Sequence, residues 1–218
     1  MICGIDEAGR GPCIGPLVIA GVSIENDEEL KKYNVRDSKK ISPNKRIVLS
    51  DLIKKIADSI ELIIIPASDI DDMRNVMTLN VIEVNAFSKI IDKIDADTYY
   101  VDAADVNDKR FGEDILSRIS KKPEIISKHK ADDIYPIVGA ASIIAKTRRD
   151  QEIHNIASKL EKKINLPLGS GYPADPLTKK FLSSWLDEFG ELPPNVRHSW
   201  KTCQKLIQNK KNKRLDDY

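Results

Sequence analysis

Apolar positions along the chain follow two periods, and these periods predict alternating strands and helices. Short, nearly continuous apolar runs are typical of strands. They occur in five places, namely ICGIDEAG, PLVIAGVSI, ELIIIPA, TYYVDAAD and EIISKHKADD. Between the second and third runs, apolar residues recur at helical spacing after Ser42 and Pro43, a combination typical of a helix start. Further helical patterns cover about residues 71–94 and 111–119, and a long helix is expected to begin near Asp132 or Asp133.

The character of the chain changes near Asn165. Residues 165–182, NLPLGSGYPADPLTKKFL, concentrate Gly and Pro, and two helices are predicted beyond residue 165, at about 176–189 and 198–209. Strands that alternate with helices are typical of an α/β body. We therefore predict an α/β core over residues 1–165 and a small helical C-terminal extension over residues 166–218.

Composition indicates a chain that can bury one sizeable core, since it has 218 residues and is 41% hydrophobic. No apolar run approaches the roughly 20 residues of a membrane span, and the N-terminus lacks the pattern of a signal peptide. We therefore expect a soluble, cytoplasmic protein. The three cysteines have no Cys-x-x-Cys spacing, which argues against a zinc site and a disulfide framework, so we expect them to be buried.

The net charge of +1 argues against a protein that coats nucleic acid by bulk electrostatics, but it hides an uneven distribution. Residues 197–214, RHSWKTCQKLIQNKKNKR, contain seven Lys or Arg residues and no acid. Two interpretations stay open for this basic segment. It is either a solvated C-terminal end or a helix that meets a phosphate backbone.

Four acidic residues share a position relative to the predicted strands. Asp6 and Glu7 lie at the end of the first run, Asp102 lies in the fourth, and Asp132 lies at the end of the fifth. If these strands are neighbours in one sheet, the carboxylates converge, and their repulsion must be offset by protons or cations. Oxygen ligands without His or Cys favour Mg²⁺ or Mn²⁺ over zinc. The pattern predicts a divalent-metal site, and spacing alone leaves Asp132 and Asp133 as alternatives.

Seven motifs occur in the order of one known family. They are GIDEAGRGP, DSKK, VDAAD, HKAD, AASIIAK, GSGYP and RHSWKT. In this order they resemble type 2 ribonuclease H (ribonuclease HII). The segments VDAADVN and GYPADP are most similar to its archaeal branch. The resemblance runs from residue 2 to about residue 203. It implies a ribonuclease H-like mixed five-stranded sheet flanked by helices, with a helical C-terminal extension.

The resemblance also implies the chemistry of the site. The catalytic and metal-binding carboxylates would be Asp6, Glu7, Asp102 and Asp132, because the family's HKAD motif places a ligand directly after its alanine. They would bind two Mg²⁺ or Mn²⁺ ions. The activity implied is endonucleolytic cleavage of RNA in RNA-DNA hybrids and nicking of duplex DNA 5′ of an embedded ribonucleotide, with 3′-hydroxyl and 5′-phosphate products. The archaeal type implies a monomer.

Two motifs are expected to recognise the substrate. Glycines at positions 9 and 11 let the backbone approach a phosphate without obstruction by a Cβ atom. In the family, Gly9-Arg10-Gly11 corresponds to the motif that recognises the ribonucleotide 2′-hydroxyl, the group that distinguishes RNA from DNA. By resemblance, Tyr172 in GSGYP stacks on the deoxyribose just 3′ of the ribonucleotide. Arg10 is expected to contact a phosphate, and the alternative is a structural salt bridge. For Tyr172 the alternative is a role in packing.

Phosphate contacts are predicted for three further basic residues. Lys39 lies in DSKK, a loop before a helix, and Arg197 and Lys201 lie in the basic segment. The alternative for Lys39 is a solvated loop. The histidines have no supporting nucleophile motif, and Ser142 is expected to be structural, so no Ser-His-Asp chemistry is predicted.

Three other classes of protein fit the sequence less well. A type 3 ribonuclease H is similar in its core but carries an N-terminal substrate-binding domain, for which a motif beginning at residue 4 leaves no room. A transposase or integrase nuclease would not explain Gly-Arg-Gly together with GSGYP. A non-catalytic nucleic-acid-binding scaffold would be expected to lack a ligand, whereas all four carboxylates are present.

Overall fold

The structure, a computed structural model, describes residues 1–33, 35 and 41–216, with side chains through residue 212. Within these residues the chain forms five strands: β1 (Ile2–Ala8), β2 (Leu17–Ile24), β3 (Ser59–Ile65), β4 (Thr98–Asp102) and β5 (Glu124–Lys128). The helices are α1 (Glu28–Lys32), α2 (Pro43–Ile56), α3 (Ala67–Arg74), α4 (Leu79–Lys93), α5 (Asp108–Leu116), α6 (Ala131–Ile134), α7 (Pro136–Ile164), α8 (Pro176–Phe189) and α9 (Lys201–Asp216). The five predicted strands are confirmed, and so is the predicted helix at 176–189.

The strands form one mixed sheet in the order β3-β2-β1-β4-β5. β1 pairs antiparallel with β2, whereas β1 and β4, and β4 and β5, pair in parallel. The carboxyl ends of β1, β4 and β5 therefore lie at the same edge of the sheet. This is the edge at which the sequence places its acidic residues.

The middle of the sheet is almost completely buried. Every residue of β2 is buried, which explains why its apolar run is continuous instead of alternating. In β1, a Cβ atom at Gly4 would lie 2.3 Å from the carbonyl oxygen of Ile137 in α7. Glycine at this position therefore lets the backbone of α7 pack directly against the strand.

Two capping residues decide where helices start. The Ser42 side chain accepts a hydrogen bond from the Lys45 amide, and Pro43 opens α2 as predicted. The single helix predicted over about 71–94 is wrong, because this region forms α3 and α4. Thr78 caps α4 by accepting a hydrogen bond from the Val81 amide, and this cap starts a new helix.

The long helix also starts later than predicted. Residues Ala131–Ile134 form the one-turn helix α6, and α7 begins at Pro136. Proline disfavours helical conformation in the residue before it, and Tyr135 is accordingly extended, at φ −109° and ψ 117°. In the described part of the chain, no helix combines the length and the apolar character needed to cross a membrane.

Residue contacts divide the chain into two compact units. The first comprises Met1–Ala8, Val18–Ile64 and Met77–Arg148, and the second comprises Gly9–Leu17, Ile65–Val76 and Arg149–Tyr218. This division differs from the predicted boundary near residue 165. The reason is that the loop after β1 belongs with the C-terminal segment, since the Cys13 amide donates to the Gly171 carbonyl at 2.9 Å and Ile14 forms a bridge with Val196.

Each unit has its own hydrophobic core. In the first, residues of β2 such as Val18 and Val22 pack with Ile53 and Ile137. In the second, α8 contributes Phe181 to a cluster of residues from the loop after β1 and from α7 to α9. All three cysteines are buried, as predicted.

Candidate active site

Three carboxylates meet at the edge of the sheet where β1 and β4 end. Asp6 lies near the end of β1, Asp102 is the last residue of β4, and Asp132 lies in α6, shortly after β5. β1 and β4 are adjacent and parallel, with Ile5 paired to Val101. As a result, one oxygen from each of the three aspartates lies within 4.8 Å of the others. The structure thus brings together three of the four predicted carboxylates.

Glu7, the fourth predicted ligand, lies outside that group of three oxygens in the described residues. Successive side chains of a strand point to opposite faces, so Asp6 and Glu7 leave β1 in different directions. The Glu7 amide donates to Asp6 Oδ1 at 2.7 Å, and the Glu7 carboxylate acts electrostatically on Asp6. A role for Glu7 as a metal ligand stays a prediction.

A tight turn between β5 and α6 selects Asp132 over Asp133. Lys130 adopts the left-handed conformation, with φ 55°, and the Ala131 amide donates to Asp102 Oδ1 at 3.0 Å. This hydrogen bond ties the start of α6 to the end of β4. Asp132 is consequently 1% exposed and lies beside Asp102, whereas Asp133 is exposed to solvent.

The surroundings of Asp6 disfavour its ionised form. Burial raises the pKa of Asp6 well above its ordinary value, and the negative charges of Glu7 and Asp102 raise it further. Lys146 and a hydrogen bond with Ser142 act in the opposite direction and lower the same pKa. The site therefore has an excess of negative charge that favours bound protons or cations.

Among the residues that the structure describes, Lys146 is a lysine that lies beside this cluster. Its Nζ donates to Ser142 Oγ at 2.7 Å, one turn earlier in α7, and lies 3.7 Å from Asp132 Oδ2. The hydrogen bond fits the structural role predicted for Ser142. One lysine can offset only one of several carboxylate charges, so the cluster retains a capacity for additional positive charge.

The donor set fits a hard divalent cation. The converging atoms are carboxylate oxygens from Asp6, Asp102 and Asp132, with no sulfur or imidazole among the three. Oxygen-only sites of this kind suit Mg²⁺ and Mn²⁺ better than zinc. Such a cation would offset the repulsion that raises the pKa of Asp6.

The glycine loop, defined as residues 9–15, follows β1 directly. Gly9 has φ +89°, and a Cβ atom there would lie 2.4 Å from the Pro16 carbonyl oxygen, so glycine is required on both grounds. Gly11 is exposed, and a Cβ atom at this position would lie 3.6 Å from the Tyr172 ring. The two motifs predicted to recognise the substrate are therefore neighbours.

Tyr172 lies in a loop stabilised by a single aspartate. Tyr172 is 42% exposed. Asp175 Oδ2 accepts hydrogen bonds from the amide and the hydroxyl of Ser170, both at 2.6 Å, and Asp175 Oδ1 caps α8 by accepting from the Leu177 amide at 2.9 Å. Asp175 thereby fixes the loop to the helix that follows it.

The structure changes the interpretation of Arg197. The prediction was a contact with phosphate, but Arg197 is 0% exposed and its guanidinium donates to the carbonyl oxygens of Gly9, Arg10 and Gly15. The prediction placed Arg197 at the surface because it lies in a basic segment. The three carbonyl oxygens instead require a buried donor with several N–H groups, and a guanidinium has them. Arg197 therefore stabilises the glycine loop.

The other predicted phosphate contacts differ in position. Lys201 is exposed at the start of α9, and Arg10 is half-buried in the glycine loop. Lys39 and the rest of DSKK lie outside the described residues. Roles in phosphate binding stay predictions for these three residues.

Several polar residues near the predicted site have structural roles. Asp105 accepts hydrogen bonds from the Asn107 amide, from Asn80 and from Arg110, as expected of a turn residue. His129 contacts the Val106 carbonyl at 3.1 Å, and its side chain is exposed. These contacts stabilise the segment between β4 and α5.

Three residues of the second unit were missed by the sequence analysis. They are Asp71, Arg149 and Asp175. For Asp175 a local signal was available, because an aspartate before a proline is a typical helix start. Arg149 and Asp71 act on segments 21 or more residues away, so no local pattern identifies them.

Solved structures with the same fold identify the class of protein. The crystal structure of the ribonuclease H2 from Pyrococcus horikoshii OT3 matches with a TM-score of 0.88 and 38% identity, over 95% of this chain and 97% of that one. The structure of the PCNA:RNase HII complex from Archaeoglobus fulgidus matches with a TM-score of 0.85 and 37% identity, over 94% of this chain and 96% of that one. The chain is therefore a ribonuclease H-like nuclease by fold, as its motifs implied.

Sequence comparison narrows the class to a family. A family model described as Ribonuclease HII matches residues 3–203. A ribonuclease HII from Methanococcoides burtonii is 47% identical over 215 residues, which is 95% of this chain and 99% of that protein. The chain belongs to the ribonuclease HII family, and it is an endonuclease that acts on the RNA of RNA-DNA hybrids.

Proposed function

We propose that this protein uses Mg²⁺ or Mn²⁺ to hydrolyse RNA in RNA-DNA hybrids and to nick duplex DNA on the 5′ side of an embedded ribonucleotide. The products carry 3′-hydroxyl and 5′-phosphate ends. The observation that carries the proposal is the convergence of Asp6, Asp102 and Asp132 within 4.8 Å at the carboxyl edge of the sheet. Such a cluster of mutually repelling carboxylates, of which Asp6 and Asp132 are buried, is costly unless cations bind it.

The four predicted carboxylates have distinct positions in this proposal. Asp6, Asp102 and Asp132 would hold the metal ions, and Glu7 would complete the ligand set from the adjacent strand position. A divalent cation bound there would supply Lewis-acid stabilisation of phosphate charge and would lower the pKa of a bound water. Lys146, 3.7 Å from Asp132, orients that carboxylate and limits the repulsion within the cluster.

Recognition of the ribonucleotide is assigned to the second unit. The exposed Gly11 and the neighbouring Tyr172 ring support a surface on which backbone amides read a 2′-hydroxyl while an aromatic ring stacks on the next sugar. The 2′-hydroxyl is both a donor and an acceptor, which suits recognition by backbone groups. Tyr172 would favour deoxyribose at the next position, so that the pair reads an RNA-DNA junction. We expect the protein to act as a monomer.

The test is cleavage of an end-labelled DNA duplex that contains one ribonucleotide, in Mg²⁺ or Mn²⁺, beside an all-DNA duplex of the same sequence. We expect one nick, 5′ of the ribonucleotide, and none in the all-DNA duplex or in EDTA. A DNA polymerase should extend the upstream product, because extension requires a 3′-hydroxyl.

Other outcomes would contradict specific parts of the proposal. Cleavage on the 3′ side of the ribonucleotide, or an upstream product that cannot be extended, would contradict the proposed chemistry. Tight binding of the ribonucleotide-containing duplex without cleavage would favour the non-catalytic scaffold.

A further inference from the structure

We propose that Asp71 is a positioning residue for ribonucleotide recognition. It fixes the RHSW segment, defined as residues 197–200, and this segment sets the direction of the backbone amides in the glycine loop. The inference rests on the proposed function. It adds a residue from α3, which lies far in sequence from every motif that identified the site.

The first link is the carboxylate of Asp71. Its Oδ2 accepts a hydrogen bond from the His198 amide at 2.6 Å, and its Oδ1 accepts from the Ser199 amide at 3.0 Å and the Ser199 hydroxyl at 2.6 Å. Both oxygens are thus occupied by consecutive residues of one segment. Hydrogen bonds to an ionised acceptor are stronger than neutral ones, so this arrangement strongly restrains the RHSW backbone.

The second link is formed by the two residues on either side of this contact. Arg197 donates to the carbonyl oxygens of Gly9 and Arg10, and the Trp200 indole N–H donates to the Gly11 carbonyl oxygen at 3.1 Å. Every carbonyl of the Gly-Arg-Gly motif therefore accepts a hydrogen bond from the RHSW segment. The guanidinium of Arg197 also lies 4.7 Å from the Trp200 ring centroid, so the two donors pack on each other.

Asp71 also supports the charge of Arg197. Burial and the nearby charge of Arg149 lower the pKa of Arg197 to about 10, while Cys13 and Asp71 act in the opposite direction and raise it. The guanidinium therefore stays protonated at neutral pH and keeps its full set of donors. A buried cation is costly without a nearby anion, and Asp71 supplies one.

The consequence for recognition follows from the geometry of the peptide bond. In a trans peptide, the carbonyl of one residue and the N–H of the next point in opposite directions. Since the carbonyls of Gly9 and Arg10 point to Arg197, the N–H groups of Arg10 and Gly11 point away from the RHSW segment. Loss of the Asp71 contact would free the segment to move, and these two amides would lose their fixed direction.

The experiment measures the preference for a ribonucleotide-containing duplex over an all-DNA duplex. A general loss of stability would lower binding to both duplexes equally and would leave this preference unchanged. The wild type, Asp71→Ala and Asp71→Asn are compared for affinity to a duplex with one ribonucleotide and to the matched all-DNA duplex, in Ca²⁺ to prevent cleavage. Asp72→Ala removes the same charge from an exposed position of the same helix and is the matched control.

We expect Asp71→Ala to reduce the preference for the ribonucleotide about fivefold to tenfold, the effect of losing about one hydrogen bond. Asp71→Asn keeps one acceptor oxygen and should recover part of the preference. Asp72→Ala should keep all of it. If Asp71→Ala does not fold, Ser199→Ala removes a single donor and should reduce the preference by a smaller factor.

A second readout does not depend on substrate. The indole N–H resonance of Trp200 should shift in Asp71→Ala, because its hydrogen bond to Gly11 weakens, and should not shift in Asp72→Ala. If the wild type prefers the ribonucleotide and Asp71→Ala keeps both the full preference and the Trp200 resonance, the positioning role is refuted while the proposed function stands. If the wild type itself shows no preference, the proposed recognition of the ribonucleotide fails, and the positioning role fails with it.

Discussion

The guanidinium of Arg149 lies 5.2 Å from the centroid of the Tyr172 ring, and its Nη2 donates to the Ser170 carbonyl at 2.8 Å. The same side chain passes close to Gly9, where a Cβ atom would lie 3.4 Å from Arg149 Cγ. Arg149 is almost completely buried, so it is packed between the glycine loop and the loop that contains Ser170 and Tyr172. It restrains both motifs that we assign to substrate recognition.

Arg149→Lys should therefore weaken cleavage at a single embedded ribonucleotide although it keeps the positive charge. The planar guanidinium stacks on the Tyr172 ring and at the same time donates to the Ser170 carbonyl. The ammonium group of lysine cannot make both contacts. We expect a several-fold loss in kcat/KM, measured with single-ribonucleotide duplexes. Lys159→Met removes a charge from an exposed position of α7 and serves as the control. Equal rates for Arg149→Lys and the wild type would show that the planar guanidinium is not required at this position.

Tyr172→Ala should separate substrate selection from catalysis. Stacking of an aromatic ring on nucleic acid contributes roughly 1–3 kcal/mol, so we expect cleavage at a single ribonucleotide to fall about 10- to 100-fold. An all-RNA strand paired with DNA should lose less, because its next sugar carries a 2′-hydroxyl. Tyr172→Phe keeps the ring and should retain activity on both substrates. Equal losses on the two substrates for Tyr172→Ala would assign the tyrosine to general binding or loop support.

Asp102→Asn should abolish turnover on every substrate and leave the fold intact. The amide oxygen can still accept the hydrogen bond from Ala131, but one ligand charge is lost. Without divalent ions, the variant should melt at the same temperature as the wild type or higher, because repulsion with the buried Asp6 is relieved. Mg²⁺ should raise the melting temperature of the wild type more than that of the variant.

The matched control for the metal site is Asp133→Asn. Asp133 is adjacent to the predicted ligand Asp132 but is exposed, so its neutralisation should leave cleavage and the Mg²⁺-dependent rise in melting temperature nearly unchanged. Loss of activity in Asp133→Asn, with activity retained in Asp132→Asn, would reverse the assignment between these two neighbours.

Local chemistry explains which parts of the structure were predictable. The strands follow from apolar runs, and Asp6 and Asp102 meet because residues at the ends of adjacent parallel strands must share an edge. The break between α3 and α4 was missed because the apolar spacing continues through it, while the cap at Thr78 rests on one hydrogen bond.

Long-range contacts explain what was not predictable. Asp71 is 127 residues from His198, and Arg197 is 188 residues from Gly9. No periodicity or motif in one sequence links such positions, and a basic run gives no sign that its first arginine is buried. The composition of the basic segment therefore predicted a surface role for Arg197 that its contacts contradict.

Asp175 should make stability depend on pH in the acidic range. Hydrogen bonds from Ser170 and Leu177 lower its pKa to about 2, below the ordinary value of 3.8. A carboxylate with a lowered pKa in the folded state stabilises the fold above its unfolded pKa, and this contribution is lost as the pH falls toward 2. Asp175→Asn should therefore destabilise the protein at pH 7 and differ less from the wild type at pH 3.

Denaturant midpoints measured between pH 7 and pH 3 would check this expectation. Glu188→Gln, an exposed position of the same helix, is the control and should follow the wild type throughout. A destabilisation by Asp175→Asn that stays constant with pH would mean that the capping geometry, and not the charge, is what matters.

The exposed lysines of α9 test whether the basic segment binds phosphate. Lys201, Lys205 and Lys211 are exposed, whereas Arg197 is buried and is left unchanged. Deletion of the segment would be a poorer test, because Leu206 and Ile207 pack against the core of the second unit. Changing all three lysines to glutamine removes charge while keeping that packing. If they contact phosphates, substrate affinity should fall, and the slope of log K against log salt should decrease by about 0.9 per lost contact.

Chemistry at saturating substrate should survive in this triple variant, because the lysines lie outside the carboxylate cluster. Replacement of Lys55, Lys89 and Lys122 by glutamine removes the same charge from exposed positions of the first unit and controls for net charge. A reduced slope only in the α9 variant would establish direct phosphate contacts. If both variants reduce the slope equally, net charge is sufficient to explain it, and an unchanged slope in the α9 variant would return the segment to its alternative interpretation as a solvated end.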